Sequence, residues 1–320
     1  MVSGALLWWA LRGVRPADVL THVRAARPLP LIVAVILGTL TFPIRWIRWR
    51  VLLTGAGNSA DSGGPLWHAI AVGFMANNLL PLRAGELVRS YTAARLTGIR
   101  FTTVLSSIAV ERIFDGLTVV GLLTMALLES DLPRSLSIAG VSVLQLAQGG
   151  AVVSAGAFLV AISILAAPAT AEKLIRLLAP ARLADRLVKI VEGIRQGLVV
   201  LRTPERLLLV VLWSLVLWLA NALAFYVGFA AFDIPVSYLG ALLLQGLLVL
   251  GIAIPSTPGF FGPFEAVIVA VLALYGVAND VAFSFAIAYH ITSFLPITLL
   301  GLWSLTRVPG GLQGIRQAPR

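Results

Sequence analysis

Apolar runs of roughly 20 residues or more recur along this chain. Runs that long match the hydrocarbon core of a bilayer, about 30 Å thick at about 1.5 Å of rise per residue. Stretches 30–53, 102–128, 141–167, 207–231 and 281–306 read as full spans. Inside lipid every backbone N–H and C=O needs a partner within the segment, so the spans are expected to be helices. Composition agrees: 59% of residues are hydrophobic and 12% charged, against about 25% charged in a soluble domain. Three shorter runs, 66–82, 238–254 and 264–276, fall short of a crossing. The N-terminal run 2–12 is also too short to span alone, and it lacks the basic start and small-residue cleavage site of a signal peptide.

The net charge of +10 sits on loops and helix ends. In a soluble protein such a balance points to nucleic acid. In a membrane protein it sets orientation, and near the surface it attracts anionic lipids at about 1 kcal/mol per cation. The chain is therefore expected to engage anionic membrane lipids and no nucleic acid. The loop 168–206 carries Lys173, Arg176, Arg182, Arg186, Lys189, Arg195, Arg202 and Arg206, and the tail carries Arg307, Arg316 and Arg320. Loops at 129–140, Asp233 and Asp280 are acidic or neutral. This asymmetry predicts a cytoplasmic middle loop and C-terminus in the inner (cytoplasmic) membrane. Leu174, Leu177, Leu178, Leu187, Ile190, Val191 and Ile194 recur among the cations at helical spacing, as in a helix lying on the leaflet or in a plain basic linker. The absence of cysteine excludes disulfides, thiol catalysis and thiolate metal sites.

Two of the apolar stretches are broken. Between Trp67 and Thr97 stands NNLLPLRAGE, with Asn77, Asn78, Pro81 and Gly85. Between Tyr238 and Tyr275 stands IPSTPGFFGPFE, with Pro255, Pro258, Gly259, Gly262 and Pro263. These residues cannot all lie inside one helix, because proline removes a donor and clashes with the preceding turn. Since the loops at Asp233 and Asp280 share a side, 238–276 must enter and leave on that side as a re-entrant hairpin. Residues 66–98 would be its counterpart from the cytoplasmic side. Paired interrupted segments in corresponding halves indicate an inverted repeat with a binding site near the midplane. One feature opposes this arrangement: it puts residues 12–29 outside, although they carry Arg12, Arg15, Arg24 and Arg27.

Ionisable residues stand within the apolar zone. Arg83, Glu86 and Arg89 share roughly one helical face. Glu111, Arg112 and Asp115 lie about ten residues into a span. A charge at a helix centre costs at least about 2.5–3.5 kcal/mol, so it is normally paired and functional. Either these groups neutralise one another to fix the hairpin, or the arginines hold a phosphate through their bidentate fork while the carboxylates orient them. Glu265 follows the second turn and His290 sits in the last span; both are candidates for capping, polar packing or proton transfer. The sequence has no GxSxG, HExxH or P-loop motif. The expectation is a non-enzyme with no cofactor and no metal. An intramembrane enzyme with a metal among Glu86, Glu111 and Asp115 is the minor alternative.

At NNLLPLRAGELVRSY, ERIFDG and PSTPGFFGPFEA the sequence resembles the lysylphosphatidylglycerol synthase transmembrane-region family, flippase-like integral membrane proteins, over roughly residues 5–305. The resemblance implies a flippase-like domain. In two-domain relatives that domain translocates an aminoacylated phospholipid made by a fused synthase. It also implies partnership with a glycosyltransferase or lipid synthase.

The expectation is thus an all-α polytopic membrane protein, a single domain over 1–320. Two pseudo-symmetric halves, about 1–167 and 207–306, flank a basic linker at 168–206, and 307–320 form a short tail. The expected function is translocation of an anionic phospholipid or a polyprenyl-phosphate-linked lipid. The alternative is a non-transporting membrane partner that presents lipid to a glycosyltransferase. The candidate substrate-binding residues are Asn77, Asn78, Arg83, Glu86, Arg89, Glu111, Arg112, Asp115, Glu265 and His290.

Overall fold

The computed structural model describes residues 2–55, 63–80, 84–129, 203–252 and 257–309, with shorter stretches between 137 and 192. The described residues form α1 (Val2–Ala10), α2 (Pro16–Ala25), α3 (Pro28–Gly55), α4 (Gly63–Leu79), α5 (Gly85–Thr97), α6 (Phe101–Glu129), α7 (Pro168–Leu178), α8 (Pro204–Phe229), α9 (Tyr238–Ile252), α10 (Pro263–Ala273) and α11 (Asn279–Leu305). The one strand pairing among them is the two-residue bridge of Ser137–Ile138 with Val141–Ser142. The expected span 141–167, most of the linker, Pro81, Arg83 and Pro255 lie largely or wholly outside the described residues.

Three helical stretches, 28–54, 204–232 and 279–305, are long and apolar enough to cross a membrane. Helix α6 is as long, but Glu111, Arg112 and Asp115 interrupt its apolar character. Prolines open α2, α8 and α10, where the missing N–H costs nothing. Leu29, Ile32, Val33, Ile36 and Leu40 form an exposed stripe along the first half of α3. A face of that kind suits lipid rather than water.

Helices α3 and α8 run antiparallel along their length. At one end the Arg27 N–H donates to Ala231 O (2.9 Å) and the Arg27 side chain pairs with Asp233. At the other end the Arg206 guanidinium donates to Thr54 O at 3.2 Å. The first end also holds α2, whose His22 contacts Asp280 at 3.0 Å at the start of α11. Residues 12–29 therefore lie on the same face as Asp233 and Asp280, whatever their arginine content. The opposite face gathers the end of α3, the start of α4 and the end of α11. Trp46 Nε1 donates to Gly63 O (2.6 Å), and His68 meets Ser304 at 3.2 Å.

Seven of the described helices are too short to cross, and four of these, α4, α5, α9 and α10, pack in pairs. At about 1.5 Å per residue, α4, α5, α9 and α10 measure about 25, 20, 22 and 16 Å. They form two hairpins. The α4/α5 hairpin opens towards the face with Thr54 and Arg206, and α9/α10 opens towards the face with Asp233 and Asp280. Gly85 lets the arms of the first hairpin touch, because a Cβ there would run into Gly73 O. Gly262, at φ 99, makes the second turn, where an L side chain would be strained. Helix α1 packs beside α10, and Ser3 Oγ accepts the Thr257 N–H at 3.1 Å.

Candidate functional site: a charged cluster on a central cavity

Charged residues from three helices, α3, α5 and α6, meet polar groups of a fourth, α8, at one depth. At about 1.5 Å per residue, Arg45 is about 15 Å from the end of α3, Glu111 about 15 Å from the start of α6, and Ser214 about 15 Å from the start of α8. All three helix ends lie on one face, so the cluster sits about half-way through a layer of about 30 Å.

Glu111 is its hub. Arg89 on α5 grips it through both nitrogens at 3.0 Å each, Arg48 on α3 reaches it at 3.2 Å and Arg112 at 2.7 Å. Asp115, one turn along α6, accepts from Arg48 at 2.5 Å and from Trp218 Nε1 on α8 at 2.9 Å, and forms an ion pair with Arg112 at 3.3 Å. Arg48 also donates to Ser214 Oγ at 2.9 Å. The Arg89 guanidinium stacks on Trp49 with 3.8 Å to the ring centroid, and Trp49 Nε1 donates to Ser107 Oγ at 2.9 Å. Arg48 and Glu111 are fully buried, while the Arg112 and Glu86 side chains are 38% and 36% exposed and 3.6 Å apart. Bidentate pairing of this kind offsets the desolvation that would otherwise expel buried charge.

The charges do not balance. Arg45, Arg48, Arg89 and Arg112 face Glu86, Glu111 and Asp115, leaving one cation in excess. Arg45 is that cation by geometry: among the described residues no carboxylate pairs with it, and its guanidinium lies 4.9 Å from the Phe74 ring centroid.

Two adjoining chambers meet at Arg45, Phe74, Trp218, Val249 and Ile252. The first, of about 300 Å³, is walled by Asn77, Asn78, Gly85, Glu86, Arg89, Arg112 and Asp115. Phe260 from the second hairpin's turn also lines it, in a left-handed conformation at φ 63. The second, of about 230 Å³, is lined by Gln245, Asn221, Ser293 and aromatic rings. The two hairpin turns thus meet around the space, and a Cβ on Gly259 would stand 3.3 Å from Asn78 O.

The remaining sequence candidates have defined partners. Asn77 Oδ1 accepts the Gly85 N–H (2.9 Å), holding its own hairpin closed, and Asn78 Nδ2 donates to Thr298 Oγ1 on α11 (2.9 Å). Glu265, fully buried, accepts the Gly262 N–H at 2.7 Å with one oxygen and contacts His290 Nδ1 at 2.6 Å with the other. Phe261 and Phe264 sandwich the His290 ring at 4.4 and 4.1 Å. Phe264 and Tyr289 line the second chamber beside this pair. Among the described residues no three His, Asp or Glu stand together as metal ligands, and the arginines already occupy the lone pairs of Glu111 and Asp115.

Sequence reasoning missed Arg45, Arg48, Ser214, Trp218 and Gln245. FPIRWIRWR looks like an interfacial belt when the span is taken to end at 53. The usable signal was spacing: Arg45, Arg48 and Trp49 share one helical face, turned away from Trp46 and Arg50.

Fold and site together define a multi-pass membrane protein that shields a charged cluster and a cavity within its helices. The family model described as "Lysylphosphatidylglycerol synthase TM region" matches residues 1–301, and the chain belongs to that family. It is 24% identical over 319 residues to a UPF0104 membrane protein of Methanothermobacter thermautotrophicus, covering 93% of this chain and 87% of that protein. It is 33% identical over 109 residues to Glycosyltransferase AglD of Haloferax volcanii, covering 34% of this chain but 17% of that protein. No solved structure matches the chain.

Proposed function

We propose that this protein carries an anionic lipid across the cytoplasmic membrane, an anionic phospholipid or a polyprenyl-phosphate-linked lipid. On this reading the headgroup passes through the central chambers while its chains stay in the bilayer. The observation that carries the proposal is the excess buried cation on a cavity at mid-depth. An unmatched charge there is expensive to maintain, and an anionic ligand would balance it. Arg112 and Glu86, the most exposed members of the cluster, flank the route with Asn77 and Asn78, and Arg89, Glu111 and Asp115 hold the wall.

Two hairpins that open to opposite faces fit an inverted repeat with re-entrant elements and alternating access. The face with Arg206 and Arg307 fits the cytoplasmic side, and the face with Asp233 and Asp280 the outer side. The sequence has no nucleotide-binding motif, so movement is downhill or driven by protons. The Glu265–His290 pair and Glu86 are the groups placed to carry a proton.

Reconstitution into vesicles with fluorescent phosphatidylglycerol tests the function. The expected result is faster exchange between leaflets than in protein-free vesicles and its loss in Arg112→Ala. No exchange of any anionic lipid by the folded wild-type chain rejects transport. A second reading is a non-transporting partner that presents lipid to a membrane glycosyltransferase, favoured by the 109-residue similarity to AglD. Lipid binding without exchange supports that reading.

A further inference from the structure

Among the described residues, two buried polar side chains on the second chamber carry a group without a hydrogen-bond partner, and the two groups are of opposite kinds. Arg45 is 8% exposed and Gln245 4%. Among the described residues the Arg45 guanidinium meets no hydrogen-bond acceptor, since Arg48, Arg89 and Arg112 already share Glu86, Glu111 and Asp115. Gln245 Nε2 donates to Trp218 O at 3.0 Å, which orients the amide and leaves the buried Oε1 without a donor. Buried polar atoms are normally hydrogen-bonded, and each exception calls for an explanation. Both side chains line one chamber of about 230 Å³, among the rings of Phe74, Trp218, Phe225 and Tyr289.

We propose that Arg45 and Gln245 form a two-point subsite for a lipid headgroup, Arg45 binding an anionic phosphate oxygen and Gln245 Oε1 accepting from a hydroxyl or ammonium beside it. The subsite rests on the reading of the chain as a protein that takes up anionic lipid. It selects a phosphodiester that carries a hydrogen-bond donor, such as a polyol, sugar or amine. It disfavours bare alkyl phosphodiesters, which lack the donor, and choline heads, which lack both the donor and the net charge. The paired arginines then serve as the wall that holds Arg45 and Trp218 in place.

The test measures binding apart from transport. Thermal shift of the purified full chain gives Kd for short-chain phosphatidylglycerol, phosphatidylmethanol and phosphatidylcholine. Phosphatidylglycerol is expected to bind several-fold to about tenfold tighter than phosphatidylmethanol, the worth of one neutral hydrogen bond, and phosphatidylcholine weakest. Gln245→Leu should erase that preference and leave phosphatidylmethanol unchanged. Arg45→Gln should weaken both anionic lipids by about tenfold or more. Without lipid, Arg45→Gln should raise Tm, because an unpaired buried cation is lost; a side chain that only supports the fold would lower it.

Equal affinity of the wild type for the two anionic lipids overturns the subsite. So does a preference that survives Gln245→Leu, or phosphatidylglycerol affinity that survives Arg45→Gln. Free glycerol 3-phosphate binding as tightly as phosphatidylglycerol would reassign the site to a soluble phosphate ester and overturn the lipid claim. Binding with the stated preference but no leaflet exchange sinks transport and leaves the subsite standing. Exchange without the preference sinks the subsite alone.

Discussion

Glu111 forms ion pairs with three guanidinium groups at 2.7 to 3.2 Å while wholly buried. Its removal therefore strands more charge than it deletes. Glu111→Gln should cost about 3–5 kcal/mol, the usual penalty for breaking a buried pair, read as a lower unfolding midpoint in detergent. Glu265 has a smaller set of partners, the Gly262 N–H and His290. Glu265→Ala should cost about 1–3 kcal/mol. His290→Gln keeps a polar group against Glu265 but removes the imidazole. If this pair carries protons, the variant folds normally and its exchange rate loses pH dependence; an unchanged pH profile would reject His290 as a carrier. Individual residues were the least legible level of the sequence. Arg89, Glu111, Arg112 and Asp115 stood out because they interrupt apolar runs, whereas Arg45 and Arg48 lie near the end of a span that proved longer than its hydropathy suggested.

At the scale of elements, the two hairpins depend on local backbone chemistry. Gly262 and Pro263 start α10 in a new direction, with Pro263 in its first turn. The close crossing of α4 on α5 needs Gly85. Gly85→Val should destabilise by about 1–3 kcal/mol or more through overpacking, while Gly121→Ala on α6, with open space around its Cβ, should be neutral or stabilising by up to about 1 kcal/mol. A matched pair of melting curves decides this, and equal midpoints would mean the hairpin arms are not packed as described. The breaks in these apolar runs were legible in advance, because the prolines and glycines that make them are contiguous in sequence. Of the expected amphipathic linker, α7 is described, with Leu177 and Leu178 exposed and Arg176 bonded to Glu172 and Asp185.

Across the whole molecule, the placement of residues 12–29 followed from tertiary contact. Counting cations alone left it ambiguous, because four arginines argue for the cytoplasm. The pairing of Arg27 with Asp233 and of His22 with Asp280 puts the segment with the acidic loops. The chain has no cysteine, so single reporters can test this directly. Pro235→Cys and Ala278→Cys should react with a membrane-impermeant maleimide from one side only, and Arg100→Cys and Thr306→Cys only from the other. Labelling of all four from one side would refute the two-faced arrangement.

Apolar length and the positions of the chain breakers determined from sequence alone that this chain is an all-helical membrane protein with two interrupted apolar runs, because each of these is a property of contiguous residues. Which arginine is left unpaired was decided only by tertiary structure. That depends on the depth at which α3, α5, α6 and α8 cross, and on how few carboxylates that crossing brings within reach. Neither quantity is local to any stretch of the chain.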